Sequence, residues 1–576
     1  MRPRKRILAV TSEKQTDIAS RPNGGSLLVP EKVPAERWIA LGTFTLSLAY
    51  LCLFRRYTSF DPDEGIILQG AQRVLNGQVL YRDFFSYFTP GSYYLLALLF
   101  KVFGSSILVA RTALAVYGAM FSTFTYLLAR PVCPRWVALL AAYLVTITCV
   151  PCRFITLHNW DSTLWACCTL YCALKLIAPG FSPSVKAAAP SGHWGWALAT
   201  GSFASVTVLF EQSKGAGLVM GLGLGFFILL WLDRGKARLT RAQWLALVAG
   251  FAWPVALTFA YFAGHHALPA LVTDWLWPFR NYSMVNRVPY GYQNWNDQAR
   301  ANLHAGPWLV RGLVLFALSP SFLMPGLPVI AIVLLAYWVV EARRGKLGPD
   351  RAAYYVLSCS VLAGLALSVV GSRADNFHFI FLFPFLCLTL AWLMSGSDLR
   401  GALVTSIRPL LRLGVFFAFT ALGVALLGRN NGARSIIETR RGMLRSEGPD
   451  TILEYTQAHV PAGATVFVYP YMPLYYYLTA TSNPTPYEYI QPGMHTGEQE
   501  QEVIRIISRD PPPVALLEPA FNDKIPRSWP NTPAGAVAQD PVTDYILAHY
   551  HPCRVLNSEL WSLRFVFMVR KDLLCP

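Results

Sequence analysis

Long apolar runs separated by short polar connectors fill most of this chain, and they constrain its fold more than any motif does. Crossing a bilayer takes about 20 apolar residues. Segments of that kind fall at about 35–54, 107–129, 135–152, 162–178, 194–211, 215–232, 242–263, 321–340, 353–370, 377–395 and 412–428. Two further apolar segments, Pro90–Phe103 and Trp308–Leu318, are short for a crossing and are expected to lie along the interface or dip into it. Of the 576 residues, 54% are hydrophobic and only 14% are charged, against roughly a quarter charged in an average soluble protein. The expected fold is an α-helical polytopic membrane protein of about eleven transmembrane helices with added interfacial helices.

The charges orient these spans. The net charge is +17, but no basic tract is interleaved with aromatic residues as a nucleic-acid groove would be. With the N-terminus inside, the inner loops collect Arg130 and Arg135; Lys186; Arg234, Lys236, Arg238 and Arg241; Arg343, Arg344, Lys346 and Arg351; and Arg400 and Arg408. That is the Lys/Arg bias of cytoplasmic loops. Residues 1–34 then read as a cytoplasmic tail before a retained first span, since MRPRKR is not followed closely by a short apolar core and a cleavage site. The outer side receives PDEG, HNWD, EQSKG, the loop 264–307, SRADNFH and everything after about residue 428.

Residues 429–576 are a different material. Helices are expected at Thr451–His459, Pro473–Leu478, Gly497–Ser508 and Val542–Tyr550, strands at Thr465–Tyr469 and Val514–Leu517, and a closing hairpin that ends in Arg564–Val569. The alternation favours a small extracytoplasmic α/β domain with its own core. It carries no GxGxxG and no P-loop. The eleven cysteines are scattered without a CxxC; Cys553 and Cys575 would pair if this domain faces an oxidising compartment.

The chemistry-bearing residues gather in the outer loops. In FDPDEG, Asp61 suits an N-cap, Pro62 the first helical position, and Glu64 the third position of a capping box. The helix that follows has Ile66, Ile67, Ala71, Val74 and Leu75 on one face and Gln69, Gln72, Arg73 and Asn76 toward water, and Gly77 ends it. Asp63 has no part in that start. A carboxylate held there would act as general base or hold a divalent cation. In HNWD, Asp161 either caps the fourth span or faces Asp63 across an outer cavity, and His158 either sits at the interface or binds substrate. Lys214 either pairs with Glu211 or meets a phosphate. Arg373 either pairs with Asp375 or, through its planar guanidinium, holds a phosphate. The loop 264–307, with Trp275, Trp277, Tyr282, Tyr290, Tyr292 and Trp295, suits an interface belt and equally the stacking of sugars.

Together these segments resemble the GT-C superfamily of membrane glycosyltransferases, in particular the family-39-like branch of protein mannosyltransferases and lipid A aminoarabinose transferases. The resemblance runs over about residues 35–428. It is carried by PDEG, AQRVLNGQVLYRDF, TPGSYYLLALLFKVFG, the acid at the head of the fourth span (Asp161), the KG of Lys214–Gly215, and RADNFHFIFLFPFL. The tail phrase VPAGATVFVYPYMPLYYYLTATSNPTPY is similar to the outer domain of many bacterial members. The chain departs from the protein mannosyltransferases in lacking their β-trefoil insertion and in ending in an α/β domain, which puts a protein acceptor in doubt.

The resemblance implies a multi-pass enzyme of the cytoplasmic (bacterial inner) membrane. It would transfer a hexose or pentose, with inversion, from a polyprenyl-phosphate-linked donor to a glycan, lipid or protein acceptor on the outer face. It implies Asp63, with Glu64 beside it, and Asp161 as catalytic acids. It implies Arg82 and Asp83 of the LYRDF phrase, His158, Lys214, Arg373 and His378 as substrate-binding residues. A divalent cation bridging Asp63 or Asp161 to the donor phosphate stays open. The alternative reading is a transporter or flippase of a lipid-linked anion, although a carrier would place its ionisable groups near the midplane.

Overall fold

In the computed structural model, residues 33–57, 61–177, 194–235, 238–293, 301, 306–396, 398–399, 402–558 and 563–576 are described. Every expected span lies on a helix. These are α1 Val33–Leu51, α4 Ile107–Ala129, α5 Arg135–Cys152, α6 His158–Ile177, α7 Trp194–Phe210, α8 Gln212–Leu232, α9 Arg241–Gly264, α11 Trp308–Arg343, α12 Pro349–Ser372, α13 Asn376–Ser395 and α14 Ala402–Gly432. Helices α2 Pro62–Leu75, α3 Gly91–Phe103 and α10 Leu268–Trp277 are shorter and lie between them. Eight of the described helices are long and apolar enough to cross a membrane. Of the others in the series, α1 has 19 residues, α6 has 20 and α7 has only 17. Trp308–Leu318 is not a separate interfacial helix. It runs on through a single 3₁₀ turn at Met324–Gly326 into Leu327–Arg343, and its first half packs along α14.

The connectors sort onto two ends, as the charge pattern requires. At one end Glu36 pairs with Arg130 and Arg135, Arg351 with Asp398, and Arg238 reaches the Pro349 carbonyl. At the other end stand α2, the turn 153–157, the α7–α8 junction, the loop from Gly264 and the whole region after α14. The inner face of the bundle is filled by apolar side chains of α4–α6, α12 and α13, while Leu245, Val248 and Leu257 of α9 and Trp308, Leu309 and Leu313 of α11 are exposed, as lipid-facing residues are.

After α14 comes a hairpin, β1 Ser435–Thr439 and β2 Gly442–Ser446, then a four-stranded sheet in the order β3-β4-β6-β5. Its strands are β3 Val466–Tyr469, β4 Val514–Leu517, β5 Tyr550–Ser558 and β6 Leu563–Arg570; β3 and β4 are parallel, and β6 runs antiparallel to both neighbours. The tail helices fall where expected: α15 Thr451–His459, α16 Leu474–Thr479, α17 Gly497–Arg509 and α19 Pro541–His549. The β1–β2 hairpin and α18 Phe521–Ser528 were not expected. Cys553 and Cys575 form a disulfide.

Helix α2 begins as its sequence suggests, with the Asp61 side chain accepting from Asp63 N at 3.0 Å and Gly77 beyond its end at φ +92°. Its polar face, however, meets water at Asn76 but not at Gln69, Gln72 and Arg73, which are buried; the tail domain covers Arg73. Arg73 donates to the Glu488 carboxylate at 3.2 Å and to the Thr485 carbonyl at 3.1 Å, and lies over the Phe84 ring. The apolar face shares one core with α3, the start of α4 and tail residues such as Leu453, Val466 and Leu474. The approach is closest at Gly65, where a Cβ would come within 2.1 Å of the Leu474 backbone nitrogen. Gly65→Ala should therefore push α16 away and cost about 1–3 kcal/mol of stability, read as a lower melting temperature of the detergent-solubilised protein. An unchanged melting curve would show that this approach tolerates a methyl group.

Candidate active site

The first turn of α2 presents three carboxylates in three different environments. Glu64 is fully buried and pairs with Arg111 of α4 through two contacts, at 2.6 and 3.1 Å. It also accepts from the Thr156 backbone nitrogen at 2.9 Å, while Arg111 bonds the Tyr57 carbonyl. The expected capping box is thus absent: Asp61 caps through Asp63 N, and the Glu64 side chain turns inward instead. Asp61 and Asp63 share one cation, the Arg153 Nη2, at 2.8 and 3.2 Å. Burial raises the Asp61 carboxyl above its ordinary range against the pull of Arg153. Asp63 is the most open of the three, with its side chain 41% exposed, and its second oxygen accepts from the Tyr471 hydroxyl of the tail.

Aromatic residues wall this corner. The Tyr471 ring lies 4.4 Å from Tyr489 and 6.0 Å from Trp529. Tyr87 bonds Tyr489 hydroxyl to hydroxyl at 2.8 Å, and its ring packs on Trp277 and Tyr282. The Arg153 guanidinium lies against Phe377 and Phe381. Beside it Asp375 receives Arg373 Nε at 2.5 Å and stands 2.7 Å from His378 Nδ1. Burial opposes ionisation of Asp375, but His378 and Arg373 outweigh it and hold the carboxyl well below the usual range. Arg373 also donates to Asn286 and to the Ser528 carbonyl, so the tail is tied to this corner from a second side.

Several expected site residues take other places. Glu64 is a structural ion-pair partner, because no face of it is open. Asp161 does not cap α6, which starts at His158. It points into a small, mostly apolar cavity, where Ser92 donates to it at 2.5 Å and Tyr117 is its second partner. Lys214 is buried, paired with Glu211 at 2.9 Å and bonded to the Asn159 carbonyl and Ser162, so its ammonium has no face for a phosphate. Arg82 and Asp83 pair with each other on the surface beyond the far end of α2, about 20 Å along that helix from Asp63. His158 does stand near Asp63 and near His378. Arg153, Arg111 and Tyr471 were not singled out from sequence. Arg153 is the sole Lys, Arg, Asp or Glu between Arg135 and Asp161, and Arg111 the sole one in its span; a lone charge at a span's edge implies a buried partner. Trp295 lies outside the described residues.

A divalent ion shared by Asp61 and Asp63 does not fit these residues, since the guanidinium of Arg153 fills the place between those two carboxylates. Among the described residues, His551, Cys553 and Cys575 alone group as three metal-type ligands, and the two cysteines are tied in the disulfide.

No protein-family model matches the sequence, and no curated protein matches it. Solved structures similar to the chain include ArnT from Cupriavidus metallidurans bound to undecaprenyl phosphate, at 13% identity and a TM-score of 0.49 over 93% of this chain and 97% of that one. Another is the oligosaccharyltransferase AglB from Archaeoglobus fulgidus in complex with an inhibitory peptide and a dolichol-phosphate, at 11% identity and a TM-score of 0.46 over 94% of this chain and 75% of that one. The Archaeoglobus fulgidus oligosaccharyltransferase in complex with Zn and sulfate gives 13% and 0.49 over 91% and 72%. ArnT and AglB are members of the GT-C superfamily.

Removing one partner of a buried pair leaves the other charge uncompensated. Glu64→Gln should therefore destabilise the protein by about 3–5 kcal/mol, seen in thermal unfolding. A variant that melts like the parent yet transfers no substrate would return Glu64 to the chemistry.

Proposed function

We propose that this protein is an inverting glycosyltransferase that moves a hexose or pentose from a polyprenyl-phosphate-linked donor to a glycan, lipid or protein acceptor on the outer face of the cytoplasmic membrane. The observation that supports it most is Asp63: a half-exposed carboxylate at the membrane edge, oriented by Arg153 and Tyr471 and walled by Tyr87, Tyr282, Tyr489 and Trp529. Flat aromatic faces suit the apolar faces of a sugar ring. Both partners of Asp63 are donors, and they aim the carboxylate so that it takes the acceptor hydroxyl proton as that oxygen attacks the anomeric carbon. The bond from that carbon to the phosphate oxygen breaks, and the electron pair leaves with the lipid phosphate. The chemistry then needs fixed donors where charge develops.

The ends of the bundle support a transferase over a carrier. Among the described residues the ionised groups of the long helices lie near their ends, whereas a carrier would place them midway. The Lys/Arg bias and the Cys553–Cys575 disulfide support an outer, oxidising location for residues 429–576 and a cytoplasmic N-terminus. We read 35–428 as the catalytic membrane domain and 429–576 as its outer α/β domain.

Asp63→Asn keeps the shape and removes the base. It should lower sugar transfer in membranes by about 10²–10⁴-fold, with the fold intact, measured by mass spectrometry of cell-surface glycans in cells carrying each form. Full glycosylation by this variant would refute the assignment of Asp63, and glycans unchanged on deleting the protein would refute the transferase reading.

A further inference from the structure

A departing phosphate needs donors, and the two cations that the sequence singles out are already engaged. Lys214 holds Glu211, Asn159 and Ser162, and each nitrogen of the Arg373 guanidinium donates within the protein. Three other groups near Asp63 are not. Arg153 spends only its Nη2 on Asp61 and Asp63; among the described residues none accepts from its Nε or Nη1. His158 has its Nδ1 buried with no partner, and its ring is set against Phe88 at 4.3 Å. A buried polar atom without a partner is costly unless a ligand or water meets it. His378 is fixed through Nδ1 by Asp375 and is 32% exposed, with no partner among the described residues at Nε2.

The three are neighbours. The Arg153 guanidinium lies over Phe377, next to His378 in the chain, and over Phe381; the Phe381 ring also meets Lys214, which bonds the carbonyl of Asn159 next to His158, and Trp160 Nε1 donates to the Arg153 carbonyl. We propose that Arg153, His158 and His378 form the seat of a phosphate beside Asp63, in place of Lys214 and Arg373. This rests on the glycosyltransferase reading for the source of that phosphate, the lipid carrier of the donor. As the sugar carbon–oxygen bond breaks, the charge left on the phosphate falls among an arginine edge and two imidazoles.

The test uses the full chain in detergent, with farnesyl phosphate and inorganic phosphate as probes. His158→Gln and His378→Gln should each weaken farnesyl phosphate binding about tenfold or more. Asp63→Asn should bind it still. The ring signals of His158 and His378 in a ¹⁵N NMR spectrum should shift when farnesyl phosphate is added; that measurement needs no variant and decides the matter if either substitution unfolds the protein. Binding that ignores both substitutions and leaves both ring signals in place would overturn the seat and leave the transferase standing. Inorganic phosphate bound with the same dependence, and farnesyl phosphate bound no better, would keep the seat and remove the lipid donor. A wild type that binds neither probe would overturn both.

Discussion

The pair between Glu64 and Arg111 holds the site together. Both charges are fully out of water, and such a pair survives only when every remaining donor and acceptor is satisfied. Here the extra partners are backbone groups, the Thr156 nitrogen and the Tyr57 carbonyl. The pair thus joins the end of α1, the start of α2, the first turns of α4 and the turn after α5. That turn carries Arg153, and Arg153 sets Asp61 and Asp63. The open carboxylate, Asp63, is placed through its buried neighbour one residue along.

Much of this was legible from the residues. In a bilayer the backbone must satisfy itself, so long apolar runs become helices with few alternatives, and each expected span lies on one. The tail elements were also readable, because Val466–Tyr469 and Val514–Leu517 are short buried strands and Gly497–Arg509 is strongly two-faced. Within DPDEG, Asp61 caps, Glu64 is structural by a different route from the one expected, and Asp63 remains the open carboxylate.

Local pattern and observed contacts part for a common reason. A polar helix face looks the same in sequence whether it meets water or another domain, and Arg73 meets a domain. Lys214 and Asp161 look like ligands because they are charged beside a membrane, yet each has partners at hand: Glu211 for the first, Ser92 and Tyr117 for the second. Which charge is engaged and which is open depends on contacts between residues tens to hundreds apart, such as Tyr471 with Asp63 and Arg111 with Glu64. No local pattern encodes them.

The near contact of Gly65 with Leu474 also sets an order of assembly. Helix α2 leaves the ribosome early, but its polar face and its close-packed glycine are covered only by chain made some four hundred residues later. At about 5–20 residues per second, that is on the order of 20–80 s during which the spans are inserted and the acid corner has no roof. The half-built chain holds Asp63 without Tyr471, Tyr489 or Trp529, and so without the aromatic wall around it. Folding of the tail domain becomes the event that closes the acid corner.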